Sequence, residues 1–207
     1  MSRGVFISFE GVEGCGKSTQ IALLHDYLTA QGRDCMVTRE PGGTPIAEAI
    51  RALVLDPAHE AMTPETELLL YAAARAQHVR ERIEPALAAG QVVLCDRYAD
   101  STTAYQGGGR GFDHRKLAQL HEWATGGRWP DRTFLLDLPA EAGLERARLR
   151  GRKDRIERED IAFHQRVRTG FLEIAAAEPA RVKVIDASGS IDTIHDQIRV
   201  LADEVMD

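Results

Sequence analysis

Gly11-Val12-Glu13-Gly14-Cys15-Gly16-Lys17-Ser18 follows directly on the apolar run Gly4-Val5-Phe6-Ile7-Ser8-Phe9-Glu10 and passes into the helical stretch Thr19 to Ala30. Strand, glycine-rich loop and helix in that order let backbone N–H groups at a helix N-terminus cradle an anion. The glycines allow the backbone to curl round β- and γ-phosphates, Lys17 supplies a compact positive charge, and the Ser18 hydroxyl is a ligand for Mg²⁺. Gly11, Val12, Glu13, Gly14, Cys15, Gly16, Lys17, Ser18 and Thr19 are therefore expected to bind a nucleoside triphosphate, with Lys17 in a catalytic role.

Outward from this loop, strand-like apolar runs alternate with helical stretches, and no repeat or low-complexity linker interrupts them. That alternation predicts an α/β domain with a mainly parallel sheet. Five strands are expected, at about 4–10, 34–39, 91–96, 132–137 and 181–186. Their near-continuous Val, Ile, Leu and Phe content suits strands covered on both faces. Helices are expected at about 17–31, 45–54, 64–89, 113–125, 140–150, 159–177 and 190–205. Thr63 and Pro64 supply a cap and a first position for the third, Gly90 stops it, and Pro85 kinks or restarts it. Gln106-Gly107-Gly108-Gly109-Arg110-Gly111 and the Arg-rich stretch near 150–158 lack apolar anchors and are expected to be mobile loops.

A chain of 207 residues, 43% hydrophobic, is expected to form a single domain spanning 1–207. No apolar run approaches the roughly 20 residues that cross a bilayer, so no membrane partner is expected. Lys plus Arg number 26 and Asp plus Glu 32, a net charge of −6, which argues against a nucleic-acid partner. The average conceals a reversal: from Arg146 to Arg158, six Arg and one Lys stand against two acids, leaving +5 there and −11 elsewhere. Cys15, Cys35 and Cys95 match neither a disulfide framework nor zinc-ligand pairs, and no secretory signal precedes Gly4. A cytoplasmic chain with free thiols is expected. The sequence contains no Asn, which removes the Asn-Lys-x-Asp pattern used by guanine-reading switch proteins and leaves ATP as the expected nucleotide.

Three predicted strands end in aspartate, at Asp96, Asp137 and Asp186. Carboxyl ends of parallel strands face the ligand crevice, and Asp96, followed by Arg97 and Tyr98, joins a carboxylate for Mg²⁺ to a guanidinium for a second anion. Asp137 and Asp186 read as strand-end or turn residues. Arg146, Arg148, Arg150, Arg152, Arg155 and Arg158 either close over a bound donor or form a solvated helix face. Tyr71 and Arg75, four apart on one helix, form either a stacking ring and carbonyl donor for a nucleobase or a core tyrosine with a surface arginine.

Together with Thr38-Arg39-Glu40-Pro41-Gly42-Gly43, Leu70-Tyr71-Ala72-Ala73-Ala74-Arg75, Asp96-Arg97-Tyr98, Ser101-Thr102-Thr103-Ala104-Tyr105-Gln106 and Asp154-Arg155-Ile156-Glu157, the loop resembles that of the bacterial thymidylate kinases, and the likeness runs from about residue 4 to 205. The resemblance implies a three-layer P-loop NTPase fold of the nucleoside monophosphate kinase type. It also implies transfer from MgATP to dTMP, a step of dTTP biosynthesis, in a homodimer. By position it implies that Tyr71 takes the base-stacking place, usually Phe, and that Arg75 bonds a thymine carbonyl. Arg97 takes the acceptor-phosphate place, Asp96 the carboxylate near Mg²⁺, and Tyr105 the ring against the deoxyribose. Glu10, Arg39, Pro41, Arg51, Ser101, Thr102 and Gln106 are expected in the same substrate site, and Arg148 and Arg152 among the catalytic arginines of a lid at about 146–158. Where some relatives carry an arginine inside the phosphate loop, this chain has Glu13, Gly14 and Cys15, so the lid must supply that charge. A kinase for another nucleoside monophosphate and an ATP-dependent switch are the rival readings.

Overall fold

The most apolar stretches of the chain form the middle of its sheet. Strands β1 (Val5–Glu10), β3 (Val92–Asp96) and β4 (Arg132–Asp137) are buried almost throughout, whereas β2 (Cys35–Arg39) and β5 (Val182–Asp186) expose several positions. The computed structural model, which describes residues 3–149, 151 and 154–206, orders them β2-β3-β1-β4-β5 with every pairing parallel. Burial on both faces of the inner strands explains their unbroken apolar runs, and the edge strands account for the polar positions. Because β1 is central, flanked by β3 and β4, the loop after it opens into the crevice at the carboxyl end of the sheet.

The five strands lie within a residue of their expected limits. Helix α1 (Lys17–Ala30) and helix α9 (Ile191–Asp203) close one face, where Ile21, Leu24 and Leu28 share a core with Ile194, Ile198 and Ala202. Helix α2 (Pro45–Leu55) lies against α3 (Pro64–His78), and α3 also touches α6 (His114–Thr125). The Thr63 hydroxyl accepts the Thr66 N–H, and Pro64 occupies the first turn. The helix expected over 64–89 changes pitch, running as α3, a wider π-helical segment Val79–Ile83, and α4 (Glu84–Ala88). Pro85 has no N–H to return to the preceding turn and its ring crowds that carbonyl, so the backbone widens there.

The Gly-rich stretch corrects the sequence reading. It is no mobile loop: α5 (Ala99–Thr102) runs into a second π-helical segment, Thr103–Gly109, whose Gln106, Gly107 and Gly109 are buried. This segment packs along α8 (Ile161–Ala177), which follows α7 (Ala140–Arg148). A Cβ at Gly109 would stand 2.5 Å from the Phe163 ring, so glycine serves close approach here rather than flexibility. Gly109→Ala is expected to destabilise by about 1–3 kcal/mol and lower the melting temperature by several degrees, because an extra methyl in a packed contact forces backbone or ring displacement. An unchanged melting curve would mean that this contact yields.

Candidate active site

At the end of β1 the phosphate loop sorts its residues by size. The side chains of Val12 and Cys15 turn into the core, and neither residue lines the cleft above the loop or the cavity beside it. A Cβ at Gly14 would overlap the Gly143 carbonyl of α7, so this glycine sets how closely helix and loop approach. Lys17 Nζ donates to the Gly11 and Val12 carbonyls, both at 3.2 Å, and thereby lies along the loop that it serves. The cleft above includes Glu13, Gly14, Gly16, Lys17, Ser18 and Thr19, with Asp96, Arg97 and Arg146 opposite. Asp96 Oδ1 is buried without a hydrogen-bond partner, and Ser18 borders the same cleft. Such an oxygen donor pair fits a hard divalent cation.

A second cavity adjoins the first. Pro41, Arg51, Tyr71, Arg75, Arg97, Ser101, Thr102, Tyr105 and Gln106 all line it, so nine expected substrate residues from separate parts of the chain converge. Glu13, Arg51, Arg97 and Asp154 line both clefts, which makes the two one continuous site. Arg97 is the joint: its guanidinium donates to the Gly11 carbonyl at 3.0 Å, to Glu13 at 2.9 Å, to Ser101 Oγ at 3.2 Å and to the Tyr105 hydroxyl oxygen at 3.1 Å. Burial opposes the charge on Glu13, but Arg97, Lys17 and the Tyr105 hydroxyl outweigh it and hold the carboxyl below its ordinary value. Burial also works against the Arg97 cation, yet Glu13 and the other nearby acids keep its pKa well above the usual one.

Tyr71 and Arg75 both line the cavity, and Arg75 is not the surface arginine of the second alternative. Arg75 is buried: Nε donates to Glu40 Oε2 at 2.6 Å, and its terminal nitrogens donate to Thr102 Oγ1 and the Tyr98 carbonyl, each at 3.0 Å. Glu40 in turn meets His78 Nδ1 at 2.9 Å, and His78 Nε2 meets Thr38 Oγ1 at 2.7 Å. Tyr71 is half-buried, and its phenol is pushed up by burial and by nearby Glu67. The motif around Thr38 thus braces the arginine beside the cavity, a role that one-dimensional spacing did not reveal.

Other expected residues lie elsewhere. Glu10 is fully buried and lines neither cleft, its oxygens being taken by Tyr98 N–H and Ser101 Oγ. Burial and neighbouring Asp100 push its carboxyl up to about 8, against the pull of Arg97. Arg39 lines neither cleft but borders a third groove, which shares Ser18 and Asp96 with the phosphate cleft, and it pairs with Glu48 at 3.0 Å. Arg148 is exposed at the end of α7 and lines neither cleft. Arg150 and Arg152 lie outside the described residues. Arg155 departs from the expected cover over the donor: it is buried against Glu67 of α3, which also receives Gln106 and Arg110. Glu67 was missed, although it stands four residues before Tyr71 and so shares its helix face. Asp137 pairs with Arg168 at 2.7 Å, and Asp186 accepts the Ser188 N–H, so both act as structural strand ends.

A parallel sheet whose central strand feeds a phosphate loop, beside a second cation-bearing cleft, defines a nucleotide kinase of the P-loop class. Residues 9–198 match the family model described as thymidylate kinase. The chain is 57% identical over 194 residues to a thymidylate kinase of Geotalea uraniireducens (strain Rf4), covering 91% of each chain. It is 51% identical over 204 residues to that of Pseudomonas syringae pv. syringae (strain B728a), covering 99% of this chain and 97% of the relative. The crystal structure of thymidylate kinase from Ehrlichia chaffeensis superposes with a TM-score of 0.79 at 35% identity, covering 97% of this chain and 99% of that one. The chain belongs to the thymidylate kinase family.

Proposed function

We propose that the joined clefts carry in-line transfer of the γ-phosphoryl group of ATP to the phosphate of dTMP, with the donor over the phosphate loop and the acceptor in the cavity beside it. As a thymidylate kinase the protein makes dTDP from dTMP, a step toward dTTP. The observation that supports this division is the sharing of Arg97 by the two clefts. Phosphoryl transfer is catalysed mainly by positioning and charge neutralisation, so a cation at the boundary is where it counts most. Lys17 and the loop N–H groups bind the donor. Arg97 holds the acceptor phosphate, whose attacking oxygen is already anionic near neutral pH and needs no general base.

Tyr71 stacks on the base and Arg75, held by Glu40, donates to a carbonyl at its edge. Tyr105 packs against the sugar, and Thr102 and Gln106 complete that wall. Ser18 and Asp96 would hold Mg²⁺, which when bound offsets the donor's phosphate charge. The whole chain acts as one kinase domain, with Arg146, Arg148 and Arg152 in a lid segment that closes over the donor. Ile46 and Leu53 on α2, Leu69 on α3 and Trp123 on α6 are exposed, and these adjoining helices offer a homodimer face. Free cysteines suit the reducing cytoplasm, and among the described residues no helix is long and apolar enough to cross a membrane.

A coupled ADP-release assay with dTMP, UMP, CMP, AMP and GMP tests the reading. Turnover with dTMP is expected to exceed each of the others by at least about tenfold, the discrimination that one or two hydrogen bonds at a base edge supply. Equal rates across the panel would make the enzyme a general monophosphate kinase. ATP hydrolysis independent of any acceptor would favour the switch.

A further inference from the structure

Glu10 stands outside both clefts, yet its carboxyl is used entirely on residues that line the acceptor cavity. Oε1 accepts the Tyr98 N–H at 2.6 Å and Oε2 accepts the Ser101 hydroxyl at 2.5 Å. Immediately before this turn, Arg97 has φ +69, the only non-glycine residue with a left-handed backbone among the described residues. A side chain bearing a Cβ resists that conformation, which persists where the surroundings over-determine it, as they often do at functional sites.

Three consecutive residues of β1 and its loop provide the constraint. The Phe9 carbonyl accepts the Arg97 N–H at 2.9 Å, Glu10 takes the next N–H in the chain, and the Gly11 carbonyl accepts from the Arg97 guanidinium at 3.0 Å. Of the three, Glu10 alone grips through its side chain, and it alone reaches both Tyr98 and Ser101. We propose that Glu10 is a positioning residue for phosphoryl transfer: it holds the turn after β3 so that the Arg97 guanidinium and the Ser101 hydroxyl, 3.2 Å apart, face the acceptor together. Because Glu10 directly precedes the phosphate loop, the same carboxyl ties the acceptor cation to the donor cradle. This rests on the proposed role of Arg97 at the acceptor phosphate.

Glutamine has the shape of the carboxyl and supplies a carbonyl for the Tyr98 N–H. Its amide can donate to Ser101 Oγ, reversing that one contact. The other contact, from the Tyr98 N–H, is kept, so Gln preserves a hydrogen bond to each of the two residues that Glu10 holds. Steady-state kinetics in each substrate and thermal melting of Glu10→Ala and Glu10→Gln test the inference. Glu10→Ala is expected to lower kcat/KM for dTMP by about 10²-fold, the scale of two lost hydrogen bonds, while KM for ATP stays within about twofold. Glu10→Gln is expected within about threefold of the parent. If Glu10→Ala does not fold, Glu10→Met fills the volume without an acceptor and carries the same expectation.

A variant that melts lower but keeps the parent's dTMP kinetics would overturn the proposal, leaving Glu10 a fold residue only, and so would a Gln variant as impaired as Ala. Arg97→Ala separates the two levels. If it leaves dTMP kinetics unchanged, the role of Arg97 fails. If it impairs them while Glu10→Ala does not, the positioning role of Glu10 alone fails.

Discussion

Lys17→Ala is expected to reduce kcat by about three to four orders of magnitude, a loss of roughly 4–5 kcal/mol of transition-state stabilisation. Charge builds on the transferring phosphoryl group inside a cleft walled by protein, where a fixed ammonium acts more strongly than it would in water. Lys17 is already placed along the loop by the Gly11 and Val12 carbonyls, so the charge requires little reorganisation when the donor binds. The melting temperature should move by only a few degrees, since the lost contacts amount to about 1–2 kcal/mol. Single-turnover kinetics with thermal melting of the same preparation make the measurement. A folded Lys17→Ala enzyme with near-parent turnover would remove Lys17 from the catalytic machinery.

Replacement of Arg97 should be nearly as severe, and the choice of replacement is informative. Arg97→Ala and Arg97→Gly are both expected to lower kcat/KM for dTMP by about 10³-fold, because each deletes a guanidinium that makes four contacts at the boundary of the two clefts. Their stabilities should differ. Glycine adopts a φ of +69 freely, whereas alanine does so at a cost of about 1 kcal/mol, so the glycine variant should melt higher. Both variants leave Glu13 without its cation, and Glu13→Gln added to Arg97→Gly should recover stability without activity. A fall in ATP affinity with dTMP kinetics unchanged would show that Arg97 serves the donor side.

Gly109→Ala probes a different kind of dependence, and the contrast between it and the phosphate loop shows where the sequence was readable. The loop's order of strand, turn and helix carries a local message, since the anion-binding geometry is completed within a few residues, even though Gly14 also meets the distant Gly143 carbonyl. Gly108 and Gly109 carry a message about α8, more than 50 residues later, and their close fit against the Arg166 carbonyl and the Phe163 ring cannot be inferred from their own neighbourhood. Arg75 and Arg155 pose the same problem for charge. Each reads as a surface cation until its acid is known, and those acids, Glu40 and Glu67, lie 35 and 88 residues away.

By itself the sequence determined the five strands, their alternation with helices and the phosphate loop, because apolar patterning and motif order act over short spans; the residues of the acceptor cavity were legible only through the resemblance to a family. The tertiary structure decided which charges face the clefts and which brace them. It turned Arg155 inward onto Glu67, made Arg97 the joint between the clefts, and withdrew Glu10 to grip the turn behind it. The physical reason is that a buried charge is tolerable only beside a partner, and the fold alone chooses the partner.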